Sequence, residues 1–234
     1  MTSNHRVTAL IVGAGAVENA WAPVVRAIQP YYEVPLTPDG ANCVLARLVY
    51  LLRWYASIDS EFAKRELTRL KQFRAQIQRA LCMELRKSQR LKEINVRKEF
   101  ATIVMNLLIQ DDRRLALMLI TTNWDTVVAT ALSDILNITM RGTLRPLHIH
   151  GSIDDEQTLY LPTEMTKEPY RTREEEQKIG GLHGSIWRGL EDAHRVILYG
   201  LSLSPLDAEL GQTLAAGWSN QNLREINIVC PITK

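Results

Sequence analysis

Apolar and polar positions follow two rhythms along this chain. The first is a set of short runs of strand length: Thr8–Val12 (TALIV), Leu115–Ile120 (LALMLI), Val196–Tyr199 (VILY) and Ile226–Val229 (INIV). Uncharged runs of this length predict strands; the first three read as buried, LALMLI on both faces of a parallel sheet, and INIV as a strand near the C-terminus. Leu147 and Ile149 alternate with His148 and His150, which predicts a further short strand, and Leu159–Leu161 predicts another. The second rhythm is helical, with apolar residues every three or four positions. It runs through Val17, Trp21, Val24, Val25 and Ile28, through Val127, Val128, Ala131, Leu132, Ile135 and Leu136, and through Ile186, Leu190 and Ala193. It returns in Leu206, Leu210, Leu214 and Ala215, where Pro205 suits a first helical turn.

Between the first run and the central one, no Gly or Pro interrupts the chain from Ala41 to Asp112. Val44, Leu45, Leu48, Val49, Leu52 and Tyr55 mark one apolar face, and Leu67, Leu70, Phe73, Ile77, Leu81 and Leu85 another. Residues 41–112 therefore read as an all-helical insertion of two or three helices. Nearly every strand is followed by small or polar residues and then a helix. That order predicts an α/β fold with a doubly wound, mostly parallel, Rossmann-like sheet, in one domain spanning residues 1–234. Strand ends in such a sheet gather on one side, where ligands bind. The ends collected here are Gly13–Gly15, Thr121–Asp125, His150–Ser152, Gly200–Ser202 and Cys230.

Composition narrows the class. Apolar residues make up 46% of the 234 and charged ones 23%, as in ordinary globular proteins. No run reaches the 18 or so apolar residues a membrane helix needs, and MTSNHRVT lacks the apolar core of a signal peptide. Cys43, Cys82 and Cys230 form no CxxC pair, so no zinc site, other metal site or disulfide framework is expected, and a reducing cytoplasm is the expected setting. The net charge of +2 is unevenly spread. Residues 61–99 hold twelve Lys/Arg against five acids, leaving the remainder acidic. Arg69, Arg74, Arg79, Arg86, Lys87 and Arg90 lie largely off the apolar face. A solvated surface is the default reading; a nucleic-acid surface is not favoured, because no aromatic residues interleave with the charges for base stacking.

Two stretches could carry chemistry. Gly13-Ala14-Gly15, between a strand and a helical pattern, is either a tight turn or a phosphate cradle formed by close backbone approach and a helix N-terminus. The dinucleotide fingerprint would place a third glycine at position 18, where this chain has Glu18; a carboxylate there repels pyrophosphate unless it points away. Asn123 and Asp125, at the end of the central strand, either cap the next helix or face a ligand. His150 has the pKa range of a general base near neutral pH. His148 lies one step deeper on the same strand face, and His183 sits in a similar Leu-His-Gly-Ser setting without a preceding strand. No HExxH, GxSxG or P-loop pattern occurs, which disfavours a metalloprotease, serine hydrolase or NTPase.

GAG after the first strand, TTNWD, the His150-Gly151 pair, GLSLSPLD and the closing IVCP, in that order, resemble the sirtuin-type (SIR2-like) Rossmann domain, and more closely the short domains of bacterial antiphage-defence proteins that hydrolyse NAD. The resemblance runs from Gly13 to Pro231. It implies NAD as substrate and no metal. It places Gly13, Ala14 and Gly15 at the pyrophosphate, Asn123 at the nicotinamide ribose and attacking water, and Asp125 near the nicotinamide. Thr122 joins the same binding loop. His150 matches the catalytic histidine, Gly200 and Ser202 the turn beside the adenosine, and Cys230 the strand end flanking adenine. The deacylases' G-I-P-D-F-R stretch and zinc ribbon are missing, so hydrolysis to ADP-ribose and nicotinamide is expected ahead of protein deacylation. The alternative from another class is a non-catalytic nucleotide sensor or scaffold. A homo-oligomer or a partner protein is compatible with either.

Overall fold

The computed structural model describes residues 6–109, 115–139, 146–202 and 207–231. Strand β1 (Arg6–Val12) ends in the glycine turn, and a two-residue strand, β2 (Val17–Glu18), follows. Helices α1 (Ala22–Ile28), α2 (Pro38–Ala56) and α3 (Glu61–Arg90) come next, then β3 (Asn95–Val96) and α4 (Lys98–Ile109). The central strand β4 (Leu115–Thr121) leads through α5 (Val127–Thr139) to β5 (Leu147–His148). Helix α6 (Arg173–Glu191), β6 (Ala193–Tyr199), α7 (Ala208–Trp218) and β7 (Glu225–Val229) complete the chain.

Five strands form one parallel sheet in the order β5-β4-β1-β6-β7. The chain thus starts in the middle, winds outward one way through β4 and β5, then crosses β1 and winds out the other way. The strand order reverses between β1 and β6. Side chains alternate across β1: Leu10 and Val12 pack with Phe100 and Val104 of α4 and Val128 and Leu132 of α5, while Ala9 and Ile11 pack with Ile186 and Leu190 of α6 and Leu210 and Leu214 of α7. Helices therefore cover both faces of the central strands β1 and β6, whereas the edge strand β7 leaves Ile226 (42% exposed) and Ile228 (69% exposed) open to water.

Helices α1, α2 and α3 share a second apolar core built on Val24, Ile28, Leu45, Leu52, Ile77 and Leu81. Thr37 and Ser60 cap α2 and α3 through their side-chain oxygens, and Thr172 and Glu175 form a reciprocal capping box on α6. Trp124 packs against both the sheet core and this helical core.

Three local expectations change. The helical pattern after Gly15 does not start at the turn: β2 intervenes, Asn19 takes a left-handed φ of 56°, and α1 begins only at Ala22, with Pro23 in its first turn. Pairing of Val17 with Val96 and Glu18 with Asn95 holds that stretch extended. Residues 159–161 are not a strand; they follow a 3-10 turn at Glu156–Thr158. The segment from 41 is helical but broken at 57–60 and at 91–97, and α2 starts earlier, at Pro38. Pro205 and Leu206, expected to open the α7 helix, lie outside the described residues, as do the end of the 41–112 segment and most of the turn before Pro146.

Candidate functional site

The C-terminal ends of β1, β4, β5, β6 and β7 border a single cavity of about 1100 Å³. Ala14, Gly15, Thr122, Asn123, Asp125, His150, Gly200, Ser202 and Cys230 all line it. Gly13 is the exception among the expected residues. It is buried behind the turn, where its N–H donates to the Tyr199 carbonyl at 2.9 Å.

The glycines serve chain packing. A Cβ on Gly13 would lie 2.6 Å from the Gly200 oxygen, and one on Gly15 would lie 2.8 Å from the same atom. Gly200 itself has φ +58° and sits against the Gly15 and Ala16 backbone. The ends of β1 and β6 thus approach at main-chain distance, and the Gly15 N–H donates to the Gly200 carbonyl at 2.9 Å. Glu18 is exposed on β2 and does not line the cavity.

The loop after β4 is held from below. Thr121 Oγ1 accepts the Asn123 N–H (3.1 Å), and His148 Nδ1 meets the Asn123 carbonyl (2.9 Å). Burial pushes the His148 imidazole below its ordinary pKa, against the opposing hydrogen bond, and the neutral ring donates through Nδ1. Asn123 is 7% exposed, and its Nδ2 is buried without a partner among the described residues. An orphan buried donor on a residue that lines a cavity is unusual and calls for an acceptor. Asp125, 4% exposed, accepts the Val127 N–H at 3.0 Å, the capping role the sequence allowed. Burial pushes its carboxyl up to about 6, only partly offset by hydrogen bonds from Val127 and its own backbone.

His150 is placed by contacts from three directions. Its Nδ1 faces the Thr122 carbonyl and its Nε2 the Asp207 Oδ1, each at 3.1 Å, and its ring stacks on Tyr160 at 5.9 Å between centroids. Asp207 Oδ1 also accepts the Leu210 N–H and so caps α7. Gly151 follows with φ +71°, and a Cβ there would strike the Thr158 backbone, which accounts for a glycine directly after the histidine. Behind Tyr160, the Arg171 guanidinium lies 4.6 Å from the ring centroid and pairs with Glu164 at 2.7 Å; neither charged side chain is solvent-exposed. Glu164 also receives Arg74 of α3 at 3.0 Å, and Glu168 receives Arg53 of α2. These pairs tie the helical core to the loop carrying Tyr160.

His183 does not line the cavity but packs edge-on against Tyr160 at 5.6 Å between ring centroids. It is buried on α6, bridging the Ile149 carbonyl (2.8 Å) and Glu209 (3.0 Å). Burial raises the Glu209 carboxyl, but hydrogen bonds from His183 and Thr166 outweigh it and hold it at about 2. Of the basic residues on α3, Arg74 is buried in its ion pairs, whereas Arg86 is an exposed residue whose guanidinium donates to the Ile153 carbonyl. Trp21 and Trp124 form cavity wall, whereas Trp187 is 46% exposed.

Sequence reasoning assigned no role to Asp207, Tyr160 or Arg97, all of which line the cavity. Asp207 carried a weak signal as an N-cap residue ahead of a helical pattern; the other two carried none, since contacts across the fold bring them in. Among the described residues no three His, Cys, Asp or Glu side chains come together as a metal site, and no helix is long and apolar enough to cross a membrane. Compared with protein-family models, with curated proteins and with solved structures, the chain matches none of them.

Proposed function

We propose that this chain binds NAD+ in the strand-end cavity and hydrolyses its nicotinamide–ribose bond, as the sirtuin-type resemblance implies. The observation that carries the reading is the orphan amide of Asn123 sharing one cavity with His150. The C1′–N bond breaks with its electron pair going to the pyridinium nitrogen, so nicotinamide leaves neutral and needs no acid. Water adds its oxygen to C1′ and loses a proton, giving ADP-ribose. Asn123 Nδ2 supplies a donor for the ribose or the water, and the Asn123 loop is fixed by Thr121 and His148. The Thr122 carbonyl holds a proton on His150 Nδ1; Nε2, which meets Asp207 Oδ1 in this conformation, becomes the acceptor of the water's proton once the water enters between the two, and Asp207 then stabilises the imidazolium. Asp125 offers a carboxylate to a cationic nicotinamide ring. The helical segment between β1 and β4 is an insertion into this sheet on the same reading.

Chromatography of NAD+ incubated with the purified protein tests the proposal. The expected result is accumulation of ADP-ribose and nicotinamide, abolished by Asn123→Ala and lowered by about 10²–10⁴-fold in His150→Ala. NAD+ left intact by wild-type protein overturns it. A second reading, a non-catalytic nucleotide sensor, is favoured by one observation: in this conformation both His150 ring nitrogens are engaged by oxygens of the protein. Calorimetric binding of ADP-ribose without turnover of NAD+ would select it. The bacterial defence role implied by the resemblance is tested by phage plating on cells that express wild-type or Asn123→Ala protein, with protection lost in the variant.

A further inference from the structure

The turn that should receive a phosphate has little left to offer from its backbone. The N–H groups of Gly13, Gly15 and Ala16 donate to the Tyr199, Gly200 and Gly13 carbonyls, which leaves only the Ala14 N–H of the turn without a main-chain acceptor among the described residues. No long helix begins there either, because β2 separates the turn from α1. The cavity wall carries four carboxylates, Asp39, Asp125, Glu164 and Asp207, against two arginines. Of those arginines, Arg26 is already bridged to Glu84 at 3.1 Å and Glu93 at 2.6 Å. An anionic ligand entering this cavity needs a cation that is not already spent.

Arg97 is that cation. Pairing of β2 with β3 brings the end of β3 against the turn, where the Arg97 N–H donates to the Ala16 carbonyl at 2.9 Å. Its side-chain Nε donates to the Gly15 carbonyl, also at 2.9 Å and across 82 positions of sequence. Among the described residues it enters no ion pair, and it is half-buried on the cavity wall beside Ala14 and Gly15. Anchoring through Nε fixes the guanidinium plane and leaves the two terminal NH2 groups as donors, the fork that matches two oxygens of a phosphate.

We propose that Arg97 is the anion-recognition residue of this cavity and confers preference for nucleotides bearing a 5′-diphosphate. The proposal rests on the nucleotide reading above and adds that the positive charge comes from the β3–α4 junction and not from the glycine turn. The test is calorimetric binding of two ligands, ADP-ribose and adenosine, to wild-type protein, Arg97→Lys, Arg97→Gln and Arg97→Ala, at low and high salt. Wild type is expected to prefer ADP-ribose, with the preference falling as salt rises. Arg97→Ala and Arg97→Gln should weaken ADP-ribose by about 10–100-fold while leaving adenosine unchanged, as expected for loss of charge-assisted hydrogen bonds. Arg97→Lys, which keeps the charge but not the fork, should restore part of the affinity and its salt dependence.

Equal weakening of both ligands overturns the proposal, because it marks Arg97 as a brace for Gly15 and nothing more. Undiminished ADP-ribose binding in Arg97→Ala overturns it too, and leaves the nucleotide reading standing. Wild-type protein that binds neither ligand defeats that reading and this one together.

Discussion

Replacing Asp125 by asparagine should stabilise the fold at neutral pH and leave it nearly unchanged in acid. The carboxyl is 4% exposed and has no cationic partner among the described residues, so burial raises it from its ordinary 3.8 to about 6. A folded-state pKa above the unfolded one means that the native state binds the proton more tightly. The contribution of Asp125 to stability is therefore fully present below pH 3.8 and is lost as pH rises through about 6. At 1.36 kcal/mol per pH unit, that displacement costs the wild type about 3 kcal/mol once the group is ionised. Asparagine keeps the oxygen that accepts the Val127 N–H at 3.0 Å and carries no charge to desolvate. Urea unfolding of wild type and Asp125→Asn at pH 4 and at pH 7.5 measures the difference. Comparing the two proteins at each pH cancels every other titrating group. The variant should gain about 3 kcal/mol at pH 7.5, or roughly 6–12 °C in Tm for a chain of this size, and little at pH 4. A gain of equal size at both pH values, or a loss at pH 7.5, would refute the burial argument. On the proposed function, NAD+ affinity of the same variant falls as its stability rises, a cost commonly attached to buried charges at binding sites.

Asp207→Asn retains the α7 cap, so its unfolding midpoint should match wild type within about 0.5 kcal/mol, while NAD+ turnover drops by about tenfold through loss of one charge-assisted hydrogen bond to His150. A rise in turnover would instead show that Asp207 locks the ring. Gly200→Ala combines a left-handed φ with a Cβ only 2.7 Å from the Ala16 nitrogen and should cost about 1–3 kcal/mol in chemical denaturation. Glu164→Gln strips the carboxylate from the buried Arg171 and Arg74 and should cost about 3–5 kcal/mol; a cost under 1 kcal/mol would mean that the network is dispensable.

The strands, and the burial of the central ones, were legible in the chain itself, whereas the exposure of Ile226 and Ile228 on β7 follows from its place at the sheet edge. A parallel strand covered on both faces is recognisable because it has no polar side to show, and TALIV, LALMLI and VILY became β1, β4 and β6 within a few residues. The gathering of Asn123, His150, Gly200 and Cys230 at one cavity follows from the same pattern, since parallel strands end on the same side. Tertiary structure decided the rest. Strands β2 and β3 are two residues each, too short for any periodicity, yet they leave Glu18 exposed and bring in Arg97. The glycines at 13, 15 and 200 look alike in sequence whether they receive a ligand or one another; only coordinates reveal the main-chain contact between them. The three histidines followed by a small residue or a strand partner carry the same local signals, and their separate duties depend on partners elsewhere. His148 holds the Asn123 carbonyl, His150 meets Asp207 across 57 positions, and His183 clasps Glu209. Local apolar pattern sets which segments must be buried, whereas the polar partner of a given side chain depends on which distant segment the folded sheet happens to place within 3 Å of it.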